Sequence, residues 1–414
     1  MLKNNLIKTA ANFRHGIVLP PQLIPNTPSD IEDIFNVGVP QNTPDIWASA
    51  SGGIGRSYEE AELAAIGEAV ERYAAGACEL PKKLRTELKA ENILPLESFS
   101  LFSEEQRREN GFPYSGLYEG EIIYTNIFSL YDNSEYWAAI ELVTLNKEYS
   151  KVFSTSSGLA AGASPYSALL RALQEVIERD ALMITWLHSI PGRQASFDTK
   201  YKEVVESKGG TLFCIDATPK YSPFPVVIMT GTLPIRGKPR VSLGCACRET
   251  YEAAVEKAFL EWSQGIIFAG YYSAAKPGLV YKHYNDIKTF DDHAVYYTIY
   301  PEEWGKVVLI KGEMIKNNPN KNKVLKGSAI DILTQAIGYL QKEKIRIYYR
   351  DLTTHDLRQI GVYSMRVLSP DLSPIFCHQK YPFLGGRIKD VYWRYPWAKK
   401  YKLHYPNPMP HPLG

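Results

Sequence analysis

One pattern of apolar and polar positions occurs three times along the chain. It reads AIGEAVER at 65–72, ALQEVIER at 172–179 and AFLEWSQ at 258–264. Each copy has a small residue, a Glu three positions later, and a Glu or Gln three later again. The pairs are Glu68 and Glu71, Glu175 and Glu178, Glu261 and Gln264. Residues three apart share one helical face, with Cβ atoms about 5–6 Å apart. Each helix therefore presents two oxygen ligands side by side, among apolar neighbours. Glu68 and Glu175 also stand four before Arg72 and Arg179, the spacing of an ordinary helix ion pair worth a few tenths of a kcal/mol. Recurrence in register among alanines sets these copies apart from surface pairs. Their separations, 107 and 86 residues between Glu68, Glu175 and Glu261, far exceed a solenoid period. They read as recurring site helices within a larger fold.

The remaining pattern predicts the elements around them. Residues 1–45 are polar and proline-punctuated, with a short helix expected at 29–35. A Gly/Ser-rich loop at 49–56 leads into the first motif helix, capped at Ser57 with Glu59 and Glu60 in its first turn. Strands at 121–130 and 135–145 form a hairpin around Asp132 and Asn133. A second Gly/Ser-rich loop at 154–162 leads into the second motif helix, with Ser164 as cap and Pro165 as first residue. Strands are expected at 211–216, 225–232 and 240–248, then the third motif helix. An exposed Lys/Asn-rich loop at 311–326, a helix at 328–342 and a strand at 344–351 follow. The class is mixed α/β (α+β), with no internal linker.

The last stretch, HYPNPMPHPLG at 404–414, has proline at every second position from 406 to 412. Proline fixes φ and forbids helix and central strand, so this is a stiff extended arm. It either places its last residues at a defined spot or is an exposed tail or partner-docking segment.

Composition narrows the class further. At 414 residues the chain can build a large core, and length alone suggests two or three domains. A net charge of +2 gives no global field for nucleic acid or a membrane surface. No signal-peptide core or apolar run of about 20 residues occurs, so a cytoplasmic location is expected. The five cysteines include no CxxC pair. Cys245 and Cys247 would share one face of a strand, and buried free thiols fit them better than zinc or redox roles.

Carboxylates in apolar surroundings are costly unless a cation or hydrogen bonds compensate them. Three such helices suggest a cage for a hard divalent cation, and Mg²⁺ also favours phosphate oxygens. A Gly/Ser loop opening a helix offers N–H groups to an anion. The loops are neither a Walker A motif nor a Rossmann fingerprint. A nucleotide site of another kind is expected, with Lys257, Arg72 and Arg179 in reach of phosphate.

The chain resembles the YcaO family over roughly residues 46–400. The resemblance is carried by Ser51-Gly52-Gly53 through Glu68-Ala69-Val70-Glu71-Arg72-Tyr73, by Ser157-Gly158-Leu159-Ala160-Ala161-Gly162 through Glu175-Val176-Ile177-Glu178-Arg179-Asp180-Ala181, and by Lys257, Glu261 and Gln264. Asp351-Leu352-Thr353 and Leu384-Gly385-Gly386-Arg387 add to it. It implies a fold of stacked sheets with three glutamate-bearing site helices. The chain divides into an N-terminal extension at 1–45, a catalytic domain at 46–403 and an arm at 404–414. ATP and Mg²⁺ are the implied cofactors. Glu68, Glu71, Glu175, Glu178 and Glu261 are implied for the metal. Ser51, Glu71, Arg72, Ser157, Glu178, Arg179, Lys257 and Gln264 are implied for the nucleotide.

The proline-rich end is similar to that of the azoline-forming branch. This implies ATP-dependent cyclodehydration of Cys, Ser or Thr in a precursor peptide. Pro410, Pro412 and Gly414 would reach the cyclisation site, with the Gly414 carboxylate as candidate base. Nothing before residue 46 is long enough for a leader-binding domain, so an E1-like partner protein is expected. A flavin-dependent azoline dehydrogenase and a homodimer are expected too. The chain departs from many members at Ile54, where Lys is common and Arg56 is left as an open substitute. It departs again at Ser157, Ala163 and Ser167, where Asn, Asn and Glu are common. The alternatives are a thioamide- or amidine-forming member and an inactive scaffold subunit.

Overall fold

Three times a strand runs straight into a long helix, and the helix lies back on that strand. The computed structural model describes residues 7–14, 16–40, 51–316 and 318–414. In it β3 (Ser51–Gly55) precedes α1 (Tyr58–Ala77), β7 (Leu159–Gly162) precedes α2 (Pro165–Leu187), and β11 (Lys238–Cys247) precedes α3 (Tyr251–Ala275). The strands approach their helices more closely than a side chain allows. A Cβ on Gly53 would lie 2.1 Å from the Ala61 carbonyl oxygen, and one on Gly244 would lie 2.1 Å from that of Ala258. Glycine here is demanded by helix-on-strand packing.

This corrects the reading of 49–56 and 154–162 as loops. Ser51–Gly55 is a strand paired antiparallel with β2 (Phe35–Val39), and 159–162 pairs with β13 (Tyr363–Leu368). Ser49, Ala50 and the boundary at 45/46 lie outside the described residues. The caps stand as expected. The Ser57 and Ser164 side chains accept from the Glu60 and Ser167 N–H, and Pro165 opens α2.

Among the described residues the strands form three sheets. The first is β1 (Gln22–Ile24), β2 and β3 in that order. The second has the order β4 (Lys83–Leu84), β5 (Ile123–Ser129), β12 (Tyr348–Asp351), β13, β7, with β6 (Glu135–Ala139) paired to β5. The third is β11, β10 (Val226–Ile235), β9 (Thr211–Asp216) and β8 (Arg193–Gln194). The hairpin β5–β6 turns at Asn133, whose φ of 59° suits a residue tolerant of the left-handed region. Its second strand stops at Ala139, where the backbone tightens into a 3₁₀ turn at Ile140–Leu142.

The helix expected at 29–35 is absent. Asp30 accepts from the Thr27 N–H and hydroxyl and pairs with Arg240, both buried. Side-chain bonds to a local backbone N–H compete with helix formation. Residues 22–39 instead supply two of the three strands beside α1.

Helices α4 (Phe290–Ile299), unforeseen, and α5 (Ala329–Lys342), expected, complete the frame. The 311–326 segment is less exposed than its composition suggests, because Asn320 donates to the buried Asp216. Central α2 is buried nearly all round, its polar Gln174, Glu178 and Asp180 included, and packs against both larger sheets. The main core runs from Ala75 to Leu413, so the end of the arm is part of it. Among the described residues no helix is long and apolar enough to cross a membrane. All five cysteines are free, with Cys214, Cys245 and Cys247 buried and their thiols pushed up by burial.

Candidate functional site

Glu68 with Glu71, Glu175 with Glu178, and Glu261 fall on helix faces that look toward one another. Glu71 feels the charge of Glu175 and Glu68, Glu175 that of Glu261, and Glu178 that of Glu261 and Glu175. Burial, then these neighbouring carboxylates, hold Glu71 well above the usual range. Burial pushes Glu178 up to about 8, with Glu261 adding to it and Arg179 and Arg248 opposing. Glu175 is raised by burial against the pull of Arg179, Arg366 and Arg72.

The carboxylates are held by basic residues of their own helices. Arg72 meets Glu68 at 2.7 Å, Arg179 meets Glu175 at 3.5 Å and Glu178 at 3.9 Å, and Lys257 meets Glu261 at 3.2 Å. The ordinary i,i+4 pair and the shared site thus coexist. Glu68 also accepts from the Gly52 N–H at 2.7 Å, and Glu178 from the Cys247 N–H at 3.0 Å. Among the described residues no three His, Cys, Asp or Glu side chains already converge as a metal's coordination sphere. A closed cage is therefore not built in. What is built in is an all-oxygen donor set whose carboxylates raise one another's proton affinity, and such a set fits a hard divalent cation.

The residues expected around a nucleotide adjoin this cluster unevenly. Ser51 is fully buried, and among the described residues its hydroxyl has no partner. Gln264 lies across Gly52 and donates to Asn36 at 3.4 Å. The β3 backbone is no open anion cradle, since Glu68 takes the Gly52 N–H. Ser157 is buried and accepts from the Ile375 N–H, and Ser167 shares a capping box with Ser164. Both hydroxyls serve local structure. Ile54 is buried in the core and Arg56 pairs with Glu256 at 2.7 Å, so neither supplies the cation that Lys would bring at position 54.

Sequence reasoning passed over Asn36, Arg248 and, above all, Arg366. Arg366 on β13 is 1% exposed and donates twice to the Leu142 carbonyl. Among the described residues its Nη1 has no partner, and burial pulls its pKa down to about 10 although Glu175 and Glu71 raise it. The signal was an arginine inside the apolar strand YSMRVL.

The arm at 404–414 reaches the same neighbourhood. Pro410, His411, Pro412 and Leu413 are buried, and Gly414 is exposed beside Ala294. The Pro410 carbonyl accepts from the Tyr297 hydroxyl at 2.7 Å. His411 is driven well below its usual range by burial and His293, and the Arg179 charge adds to the shift. The arm is tied to the glutamate-bearing α2 by Trp186, whose Nε1 donates to the Met409 carbonyl at 2.8 Å.

The profile of the YcaO family, described as a YcaO cyclodehydratase binding ATP and Mg²⁺, matches residues 52–373. No curated protein sequence matches the chain. In three dimensions it is similar to a heterocyclase solved in complex with substrate and cofactor, at 17% identity and TM-score 0.76. That match covers 99% of this chain but 57% of the heterocyclase, so the chain spans little more than half of it. It is also similar to YcaO from Methanopyrus kandleri bound with AMPPCP and Mg²⁺, at 16% identity and TM-score 0.65, covering 89% of this chain and 88% of that one. A chain of the E. coli microcin synthetase McbBCD complex matches at 15% identity and TM-score 0.61, covering 87% and 90%. At these identities the solved structures establish the shared fold, while the profile spans all three glutamate helices, and by that match the chain belongs to the YcaO family.

Proposed function

We propose that the protein is an ATP-dependent cyclodehydratase that forms thiazoline or oxazoline rings in a ribosomal precursor peptide. The observation that carries this reading is the placement of all three glutamate-bearing helices within residues 52–373, the stretch matched by a cyclodehydratase family, with carboxylates that feel one another. A Cys, Ser or Thr side chain loses its proton and attacks the preceding backbone carbonyl carbon. The former carbonyl oxygen takes the γ-phosphoryl group of ATP and departs as phosphate, while the amide nitrogen gives up its proton and closes the C=N bond. The peptide loses the elements of water, and ATP becomes ADP and phosphate.

Amide oxygen is a very poor leaving group, and phosphorylation repairs that. Glu68, Glu71, Glu175, Glu178 and Glu261 hold Mg²⁺, which when bound offsets charge on the transferring phosphoryl group. Arg72, Arg179 and Lys257 meet phosphate oxygens, and Ser51 and Gln264 line the nucleotide. Ser157, whose hydroxyl accepts from the Ile375 N–H, lines the nucleotide with them. Arg366 stands behind Glu71 and Glu175 as a fixed positive charge. Residues 410–414 lie at the cyclisation site.

The chain acts in the cytoplasm, as a homodimer, with a leader-binding partner protein and a flavin-dependent azoline dehydrogenase. The fold it shares with a chain of the E. coli microcin synthetase McbBCD complex supports work alongside partner proteins.

The test is phosphate release from MgATP, with and without precursor peptide and partner, for wild type and Glu178→Gln. Peptide-stimulated release that the substitution abolishes is the expected result. No release with competent peptide and partner overturns the reading in favour of a scaffold subunit.

A further inference from the structure

The arm poses a hydrogen-bonding problem that the fold solves residue by residue. Prolines 406, 408, 410 and 412 have no N–H, so the arm cannot join a sheet, yet its carbonyl oxygens still need partners when buried. Four consecutive carbonyls face four side-chain donors from separate parts of the chain. Gln379 Nε2 donates to Pro408 at 2.9 Å, Trp186 Nε1 to Met409 at 2.8 Å, and the Tyr297 hydroxyl to Pro410 at 2.7 Å. His293 Nδ1 lies 2.9 Å from the His411 carbonyl, and its ring stacks on that of His411 at 3.8 Å. The other ring nitrogen of His293 faces the Cys377 carbonyl at 2.9 Å. A neutral imidazole donates to only one of these, so the other three are the firm donors.

The start of the arm is tied down as well. The Asn407 N–H donates to the Leu187 carbonyl at 2.8 Å and its side chain to that of Trp186 at 3.1 Å. These are carbonyls at the end of α2, which an isolated helix leaves unpaired. Trp186 stands seven residues, two helical turns, beyond Arg179 and so on the same face, about 10 Å along the axis. Helix α2 thus carries Arg179 and a donor to the arm on one rigid element.

We propose that Trp186, Tyr297, Gln379 and His293 are positioning residues that set the register of the arm, carbonyl by carbonyl, and so place residues 412–414 at a fixed offset from Arg179. A slip of one residue would replace each non-proline residue by a proline and misplace every side chain. The seating of the arm stands on the hydrogen bonds alone, whereas its role in ring closure rests on the function proposed above.

The experiment uses the full-length chain with ¹³C-methyl methionine, in which Met409 is one of six methionines and is assigned by Met409→Leu. Tyr297→Phe and Trp186→Phe each remove one donor and keep an aromatic ring. The double variant is expected to shift the balance from seated to released arm by roughly a hundredfold, about tenfold per lost bond. Met409 should then show a second, mobile methyl signal. Azoline-forming kcat should fall at least tenfold while MgATP affinity stays within twofold. A Met409 signal in the double variant that overlays wild type overturns the seating. A released arm with unchanged kcat overturns the positioning role. Wild type that makes no azoline with competent partner and peptide sinks the proposed function, and the methyl spectra still decide the seating.

Discussion

Glu178 offers the sharpest quantitative test of the site. Its carboxyl keeps its proton up to about pH 8 in the fold, because burial and Glu261 disfavour the charge, against an ordinary value of 4.5. Between those values the folded state binds more protons than the unfolded one. Stability is therefore full below pH 4.5 and declines as pH rises toward 8. With 1.36 kcal/mol per pKa unit, the loss is about 2 kcal/mol at pH 6 and about 4 kcal/mol at pH 8, a fall of about 2 kcal/mol across that window. Buried histidines change stability in the opposite sense over part of it, so wild type alone does not isolate the carboxyl. The perturbation is Glu178→Gln, which keeps the shape and removes the titration, and histidine contributions cancel in the difference. Urea unfolding without Mg²⁺ at pH 6 and pH 8 is the assay. The advantage of the variant over wild type should grow by about 2 kcal/mol between the two. MgATP should restore wild type at pH 8 and do much less for the variant, since binding to the fold alone stabilises by mass action. An equal difference at both pH values would refute the reasoning. Glu178 would then be ionised already, compensated by Arg179 and Arg248.

Three further outcomes follow from the packing. Gly53→Ala places a methyl 2.1 Å from the Ala61 oxygen and should cost about 3 kcal/mol, whereas Gly76→Ala in α1 meets nothing within 4 Å and should gain about 0.5–1 kcal/mol; urea midpoints compare them. Arg394→Met strands the fully buried Asp180, its partner at 2.8 Å, and should cost about 3–5 kcal/mol in the same assay. Burial holds His188 and His293 down to about 4, so the unfolded chain takes up protons that the fold refuses as pH drops below 6.5. Each should cost about 2 kcal/mol at pH 5 relative to pH 7, and His293→Gln should flatten its share of the acid limb.

Much of the site was legible because its signals are local. Spacing of three and four residues placed Glu68 with Glu71, and Glu175 with Glu178 and Arg179, on single helix faces without knowledge of any partner. Caps at Ser57 and Ser164, the turn at Asn133 and the stiffness of the arm likewise follow from dihedral preferences within a few residues. The Gly/Ser stretches misled for a physical reason. A run such as Ser51-Gly52-Gly53-Ile54-Gly55 suits an anion-binding loop and equally a strand under a closely packed helix, and only the arrival of α1 decides between them.

By itself, then, the sequence determined which side chains share a face, where helices begin, and that 404–414 is extended. Tertiary structure decided what those faces meet. It brought Arg366 behind Glu71 and Glu175 from 295 and 191 residues further along the chain, raised Glu178 by burying it beside Glu261, and supplied the arm with donors from Trp186, Tyr297 and Gln379. Periodicity is a property of one element. Desolvation and hydrogen-bond partnership are properties of several elements packed together, so no spacing along the chain encodes them.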